Sequence, residues 1–336
     1  MGLINYTPQF LISGNDDLNK LTEHLVLIDS PGLVADTLTL TVNMKNIPRS
    51  QWPRSGDELH LKLGWKESGL VDMGKFTVSK VKPVYLPKKA IIIASPAPFN
   101  AQAGGKKVRR SETYTDCTLG DLVRYCANRL GLSSRVHPDF ENKQITHIDQ
   151  KNESDLAFLS RLALRHDAVA KPINGLLVFS KRGQSRSLSG QNLQPIPLQL
   201  YEGKKSPHNA FKSVSFVEPE REIYRGVIAD WYNQDQAEIV KFQVGQSPFK
   251  QLPGRFADEQ KAKDAAIGEL SNMARNGIKA TYTVAGEPML MSEGPVNFTG
   301  FDEDQLNGDY SNDRVEHVMT PGSSYVVNAN CSAVLN

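Results

Sequence analysis

The sequence predicts a mainly β protein that carries a small α+β insert, and three observations lead there. Short runs of alternating apolar and polar residues recur at roughly ten-residue spacing in the first hundred residues. Helical periodicity is concentrated in the middle of the chain, and strand-like runs return in the last third. At 336 residues the chain exceeds the roughly 250 that one core usually serves, so two or three domains are expected.

The first region offers strands at Leu25 to Ile28, Thr37 to Val42, Glu58 to Leu63, Gly74 to Val81 and Ala90 to Ala94. In the second of these, Leu38, Leu40 and Val42 share one face and Thr37, Thr39 and Thr41 the other, as a half-buried antiparallel strand requires. Pro48, Pro53, Gly56, Pro83 and Pro87 punctuate the region, which shows no convincing helix and favours a barrel or sandwich.

Residues Pro96 to Arg110 read as an exposed connection, with Gly104 and Gly105 beside the basic cluster Lys106, Lys107, Arg109 and Arg110. Two helices follow. Thr118 is placed to cap the first, with Asp121 in its first turn, a stripe of Leu119, Leu122, Val123, Cys126, Ala127 and Leu130, and Gly131 to end it. The second starts at an Asn152 or Ser154 cap and turns Leu156, Leu159, Leu162 and Ala163 inward. Ala168 to Ile173 and Leu176 to Lys181 flank Asn174-Gly175, the pair that best tolerates a type I′ turn, which predicts a tight hairpin. Gly183 to Asn192 is polar and rich in Gly, Ser and Gln, as a linker would be.

Strands resume at Ala210 to Phe216, Ile223 to Trp231, Glu238 to Val244, Ala280 to Val284, and around His317 and Ser323 to Leu335. One Ala/Glu/Lys-rich helix is expected over Asp258 to Asn276, with Gly277 behind it. The domains expected are 1–110, completed by strands near 184–205; an α+β insert at 111–183; and a second β domain at 206–336.

Composition excludes several functions. Lys and Arg number 39 against 37 Asp and Glu, a net charge of +2, so no whole-chain field gathers nucleic acid or anionic membrane. Cys117, Cys126 and Cys331 lack Cys-x-x-Cys spacing and read as small buried hydrophobes of a reducing compartment. The first fifteen residues lack a signal-peptide pattern, and no apolar run nears the roughly 20 residues that span a bilayer, so no membrane insertion is expected.

The seven histidines, His24, His60, His137, His147, His166, His208 and His317, form no ligand-spaced cluster, and no nucleophile elbow or phosphate loop is present. No catalytic residue, cofactor or metal is expected. Asp302, Glu303 and Asp304 read as a solvated loop.

Several segments carry a family resemblance. Asp36 to Val42, Trp52-Pro-Arg-Ser-Gly56, Gly64-Trp65 and Met73-Gly-Lys-Phe-Thr-Val78 resemble the opening barrel of late control D proteins, the baseplate hubs of contractile-tailed phages and related pyocins. Gly104-Gly-Lys-Lys-Val-Arg-Arg110, Thr118-Leu-Gly-Asp-Leu122, Gln150 to Ala163 and Asn174 to Phe179 resemble the middle of that family, and Arg314-Val-Glu-His317 its end. The segments stand in the family's order from about residue 20 onward.

The resemblance, shared with VgrG hubs of type VI secretion, implies two tail-tube-like β-barrels per subunit. It further implies a homotrimer whose six barrels join a sixfold tail tube protein to a trimeric spike protein, beside other baseplate proteins. DNA would pass through the lumen without sequence-specific binding. The protein would be assembled in the host cytoplasm and reside in the virion tail, without enzymatic activity. Because the chain stops soon after its last strand, the spike is expected as a separate polypeptide. The resemblance also puts His317 inside, in a closing strand. Lys106, Lys107, Arg109 and Arg110 are candidates for an inter-subunit or tube-contact loop. The alternative function is a tail-tip component that binds or degrades the cell wall, prompted by a faint likeness of the Thr118 to Leu132 helix to sugar-binding LysM modules; fold likeness is a weak warrant for function.

Overall fold

The computed structural model describes residues 6–14, 16–32, 35–96, 108–166, 168–173, 175–181, 193–203, 207–217, 224–233, 236–275 and 277–334. Lys106 and Lys107 lie outside them, as do all but Leu193 to Gly203 of the strands expected near 184–205.

The first β unit comprises β1 (Pro8–Ser13), α1 (Asp16–Leu21), β2 (Thr22–Asp29), β3 (Thr37–Asn43), β4 (Glu58–Trp65), β5 (Gly69–Val84) and β6 (Lys89–Pro96). Alternation works as expected: Leu38, Leu40 and Val42 of β3 and Ala90, Ile92 and Ala94 of β6 are all buried, with their neighbours in sequence on the other face. The short α1 has too few apolar residues to announce itself; only Leu18 is buried.

The insert follows as β7 (Arg109–Thr118), α2 (Leu119–Arg129), β8 (Ser133–Val136), α3 (Pro138–Glu141), β9 (Gln144–Ser154), α4 (Asp155–Arg165), β10 (Ala168–Ile173) and β11 (Leu176–Lys181). Thr118 caps α2 through the Asp121 N–H, and Ser154, rather than Asn152, caps α4 through the Ala157 N–H. Ile173 pairs with Leu176 across the expected two-residue turn, with Gly175 at φ +80°. The β7–β9 ribbon is too polar to show an alternating pattern in sequence. The insert has its own hydrophobic core, built around Phe158, Leu159, Leu162 and Phe179.

The second β unit begins with β12 (Ile196–Gln199) and β13 (Phe211–Val217). It is interrupted by β14 (Gly226–Asn233), β15 (Glu238–Gly245), β16 (Phe249–Phe256) and α5 (Glu259–Arg275), a three-stranded sheet whose separate small core is formed by Val227, Ala229, Ala262 and Ala266. It ends with β17 (Lys279–Ala285), β18 (Pro295–Thr299), β19 (Gly308–Thr320) and β20 (Ser324–Ala333).

With the six strands of each unit numbered in chain order, both units have the same spatial order. The first runs β1-β4-β5-β6-β3-β2 and the second β12-β18-β19-β20-β17-β13, each reading 1-4-5-6-3-2. Irregularities recur in corresponding strands. The second strand is bulged between Thr22 and His24 in one unit and between Phe211 and Ser213 in the other; the fifth is bulged between Val78 and Lys80 and between Asn312 and Arg314. One difference is that β1 meets β4 antiparallel whereas β12 meets β18 parallel.

Antiparallel pairing of β2 with β19 makes the two units one twelve-stranded sheet over a shared core. Among the described residues the expected barrels are not closed by ladders. In the first unit the Asn19 side chain takes the place of a neighbouring strand at β1, accepting from the Ile12 N–H (2.6 Å) and donating to the Ile12 carbonyl (2.9 Å). In the second, β12 and β13 meet through an isolated bridge, Gln199 to Ala210, supported by the Gln199 N–H on the Asn209 carbonyl (3.0 Å).

Two expected boundaries shift. Ile196–Gln199 does not complete the first unit; its register with Val296 to Thr299 places it in the second. Arg109 and Arg110 open the first strand of the insert instead of ending the first unit.

Candidate assembly site at the junction of the folded parts

The ladder from Leu25–Met319 to Asp29–Val315 ends beside a polar cluster to which all three parts contribute. Lys171, carried inward by the apolar strand β10, places its ammonium against the Asp29 carboxylate. It lies 3.2 Å from the Asp36 carboxylate and donates to the Ser30 carbonyl (2.9 Å) and Ser292 Oγ (3.0 Å). Asp29 in turn accepts from the Ser292 N–H (2.9 Å) and hydroxyl (2.6 Å), while Asp36 accepts the Ser30 N–H (3.0 Å).

One cation faces two half-buried carboxylates, and they are not equivalent. Burial opposes charge on Asp29, but Lys171 and Ser292 outweigh it and hold that carboxyl below its usual range. At Asp36 burial, reinforced by the charge of Asp29, pushes the carboxyl up to about 7. Lys171, although desolvated, is held charged by the two aspartates. The cluster clamps the insert onto both β units, since leaving any one member unpaired in this setting is costly.

A second contact joins the β units on β4. The Trp65 indole N–H donates to the Gly286 carbonyl (2.8 Å), which His208 Nε2 also approaches (3.1 Å), and Trp65 packs on Tyr325 with ring centroids 5.4 Å apart. A Cβ on Gly286 would meet the Tyr325 ring at 2.0 Å, so this close approach requires glycine. His317 is buried as expected. Its Nε2 faces the Leu290 carbonyl (3.0 Å), an acceptor only, so Nε2 carries the proton and Nδ1 accepts the Tyr325 hydroxyl (2.8 Å). That neutral form agrees with burial lowering its pKa to about 4. Lys143 of the insert also pairs with Asp264 of α5 at 2.8 Å.

Of the basic residues singled out in the sequence, Lys106 and Lys107 lie outside the described residues, and Arg109 and Arg110 lie in β7. Arg110 Nε stands 3.4 Å from buried Asp155, which Arg129 also pairs with; Arg109 faces Ser154 in the β7–β9 ribbon. The residues that reasoning missed, Asp29, Lys171 and Ser292, had one visible signal: Lys171 is a lone charge inside an apolar strand run. Asp302, Glu303 and Asp304 are exposed. Among the described residues no cluster of three or more His, Cys, Asp or Glu could hold a metal, and no helix is long and apolar enough to cross a membrane.

The fold is that of phage tail proteins and their secretion-system counterparts. A tail protein from Neisseria meningitidis MC58 superposes with a TM-score of 0.66 at 11% identity, covering 98% of this chain and 96% of that one. An Escherichia coli component of the type VI secretion system, described as structurally similar to the T4 tail proteins gp27 and gp5, gives 0.56 at 11% identity over 98% of this chain and 77% of its own. No family model matches the chain. In sequence, it is 32% identical over 230 residues to the probable baseplate hub protein of Escherichia phage P2 and 31% identical over 229 residues to that of Escherichia phage 186. The chain is thus a relative of phage baseplate hub proteins, as its late control D resemblance implied. Each match spans 67% of this chain and 56% of the relative, a little over half the relatives' length.

Proposed function

We propose that the protein is the structural baseplate hub of a contractile phage tail or phage-like bacteriocin, located in the virion tail. Three copies form a ring that presents six similar β units to the sixfold tail tube and threefold symmetry to a central spike. The observation that carries this reading is the strand order 1-4-5-6-3-2, present twice in one chain and stitched into one sheet. Two like units per subunit allow a closed three-copy ring to approximate six equivalent positions. The clamp around Lys171 suits such a part, because an adaptor under load needs its units held in fixed relation. Its role is mechanical, and DNA passes the lumen without sequence-specific contacts.

Native mass spectrometry of the purified chain, alone and mixed with the tube and spike proteins of its particle, tests the reading. Three copies are expected in at least one mixture. A monomer in every mixture overturns the proposal.

A further inference from the structure

The insert carries a groove that the clamp and the two β units do not use. It lies between β7 and α2, has a volume of about 450 Å³, and is lined by Glu112 to Tyr114 and Cys117 of the strand and by Asp121, Leu122 and Tyr125 of the helix. Three consecutive residues of β7 border it, so the groove follows the strand's backbone and not one face alone. β7 pairs with β9, and among the described residues no strand occupies its other edge. A strand edge beside a helix, over apolar side chains, lets an added peptide strand take backbone hydrogen bonds from the strand and specificity from the groove.

The walls are fixed in advance. The Tyr114 ring stacks on Phe158 with centroids 5.5 Å apart, and its hydroxyl donates to Glu112 Oε2 (2.8 Å) and accepts from Arg129 Nη2 (3.1 Å). Tyr125 meets Tyr114 edge-on at 6.1 Å, with the Arg129 guanidinium 4.5 Å from its ring centre, and is still 49% exposed. Rings already held in place cost a ligand little reorganisation. The rim is acidic. Arg124 is shared between Asp121 and Glu141, and exposed Asp116 has no ion-pair partner among the described residues. Negative charge is therefore in excess there, which favours a cationic occupant over an acidic one.

We propose that this groove takes an extended, basic segment of another protein as a third strand on β7, with one apolar side chain seated between Tyr114 and Tyr125. Alternate residues of a strand point the same way, so a basic residue two positions to either side of the apolar one faces the acidic rim. The site is independent of the number of copies in the ring.

The full chain is titrated with acetyl-Lys-Thr-Phe-Thr-Lys-amide by isothermal calorimetry and NMR. Binding with a Kd below about 1 mM is expected, with the largest shifts at the amides of residues 112–117 and at Tyr125. Three changes are each expected to weaken it at least tenfold: N-methylation of the peptide's central nitrogens, exchange of both its lysines for glutamate, and Tyr125→Ala in the protein. Failure of the peptide to bind below that concentration overturns the proposal. So does binding that survives N-methylation, because the groove would then take a side chain without a strand. Chitotriose is titrated in parallel, and saturable binding of this neutral sugar without peptide binding assigns the groove to a glycan and overturns the proposal as well. The peptide comparisons use the unaltered chain, so the outcome stands whether or not the Tyr125 variant folds.

Discussion

Lys171 and Asp36 stand 3.2 Å apart, yet Asp36 is the weaker partner, because Lys171 also contacts Asp29, to which Ser292 adds two hydrogen bonds. A carboxyl whose pKa rises on folding, from 3.8 to about 7, binds its proton more tightly folded than unfolded. Its contribution is therefore complete at low pH and is lost as pH climbs between about 4 and 7. Asp36→Asn, a neutral mimic of the protonated acid, removes this dependence. We expect the variant to gain about 1–3 kcal/mol relative to wild type between pH 5 and pH 8, measured by urea unfolding; a gap that does not change with pH refutes the assignment.

Removing the cation has the opposite character. Lys171→Ala leaves Asp29 half-buried with its serine contacts but no counter-charge, at a cost toward the lower end of the about 3–5 kcal/mol of a buried pair. Because Lys171 belongs to the insert, limited proteolysis should show earlier cleavage around residues 108–181 in the variant. Proteolysis indistinguishable from wild type would rule out a clamping role.

His317 provides an acid-side counterpart. Its folded pKa of about 4 lies below the ordinary 6.5, so its contribution is present above about pH 6.5 and is lost as pH falls toward 4. The slope from this single group is at most about 1.4 kcal/mol per pH unit. His317→Gln keeps a donor for the Leu290 carbonyl without titrating, and the stability difference between variant and wild type should narrow steadily from pH 7 to pH 4.

At the β4 contact, Gly286→Ala forces a methyl group into the Tyr325 ring and displaces the carbonyl that Trp65 and His208 share. Overpacking of this kind costs about 1–3 kcal/mol. A lowered urea midpoint with unchanged secondary structure by circular dichroism is expected, and an unaltered midpoint would mean that the two units tolerate separation there.

In the insert, Arg129 bridges Glu112 and Asp155, and Asp155 is 1% exposed. Arg129→Ala should cost about 3–5 kcal/mol by stranding that carboxylate, with Arg110 left as its remaining ion-pair partner. The double variant with Asp155→Asn is expected to recover part of the loss.

Local grammar carried much of the fold. Period-two alternation in Thr37 to Val42, the Thr118 cap, and the hairpin pairing of Ala168–Ile173 with Leu176–Lys181 each act over a few residues, so each could be read directly and was found in place. His317 was placed inside by family resemblance, not by its neighbours in sequence. The polar ribbon β7–β9, the short α1, and the assignment of Ile196–Gln199 to the second unit were not legible, because long-range pairing and not intrinsic pattern holds them.

The sequence by itself determined a β-rich, multi-part chain with an α+β insert that resembles phage baseplate hub proteins, since composition, periodicity and ordered family segments are properties of neighbouring residues. Only the tertiary structure decided that the two β units repeat one strand order and merge through β2 and β19, and that Asp29, Lys171 and Ser292 meet. Those residues are separated by more than a hundred positions, and burying their charge and hydrogen-bonding groups is favourable only once all three parts have folded against one another.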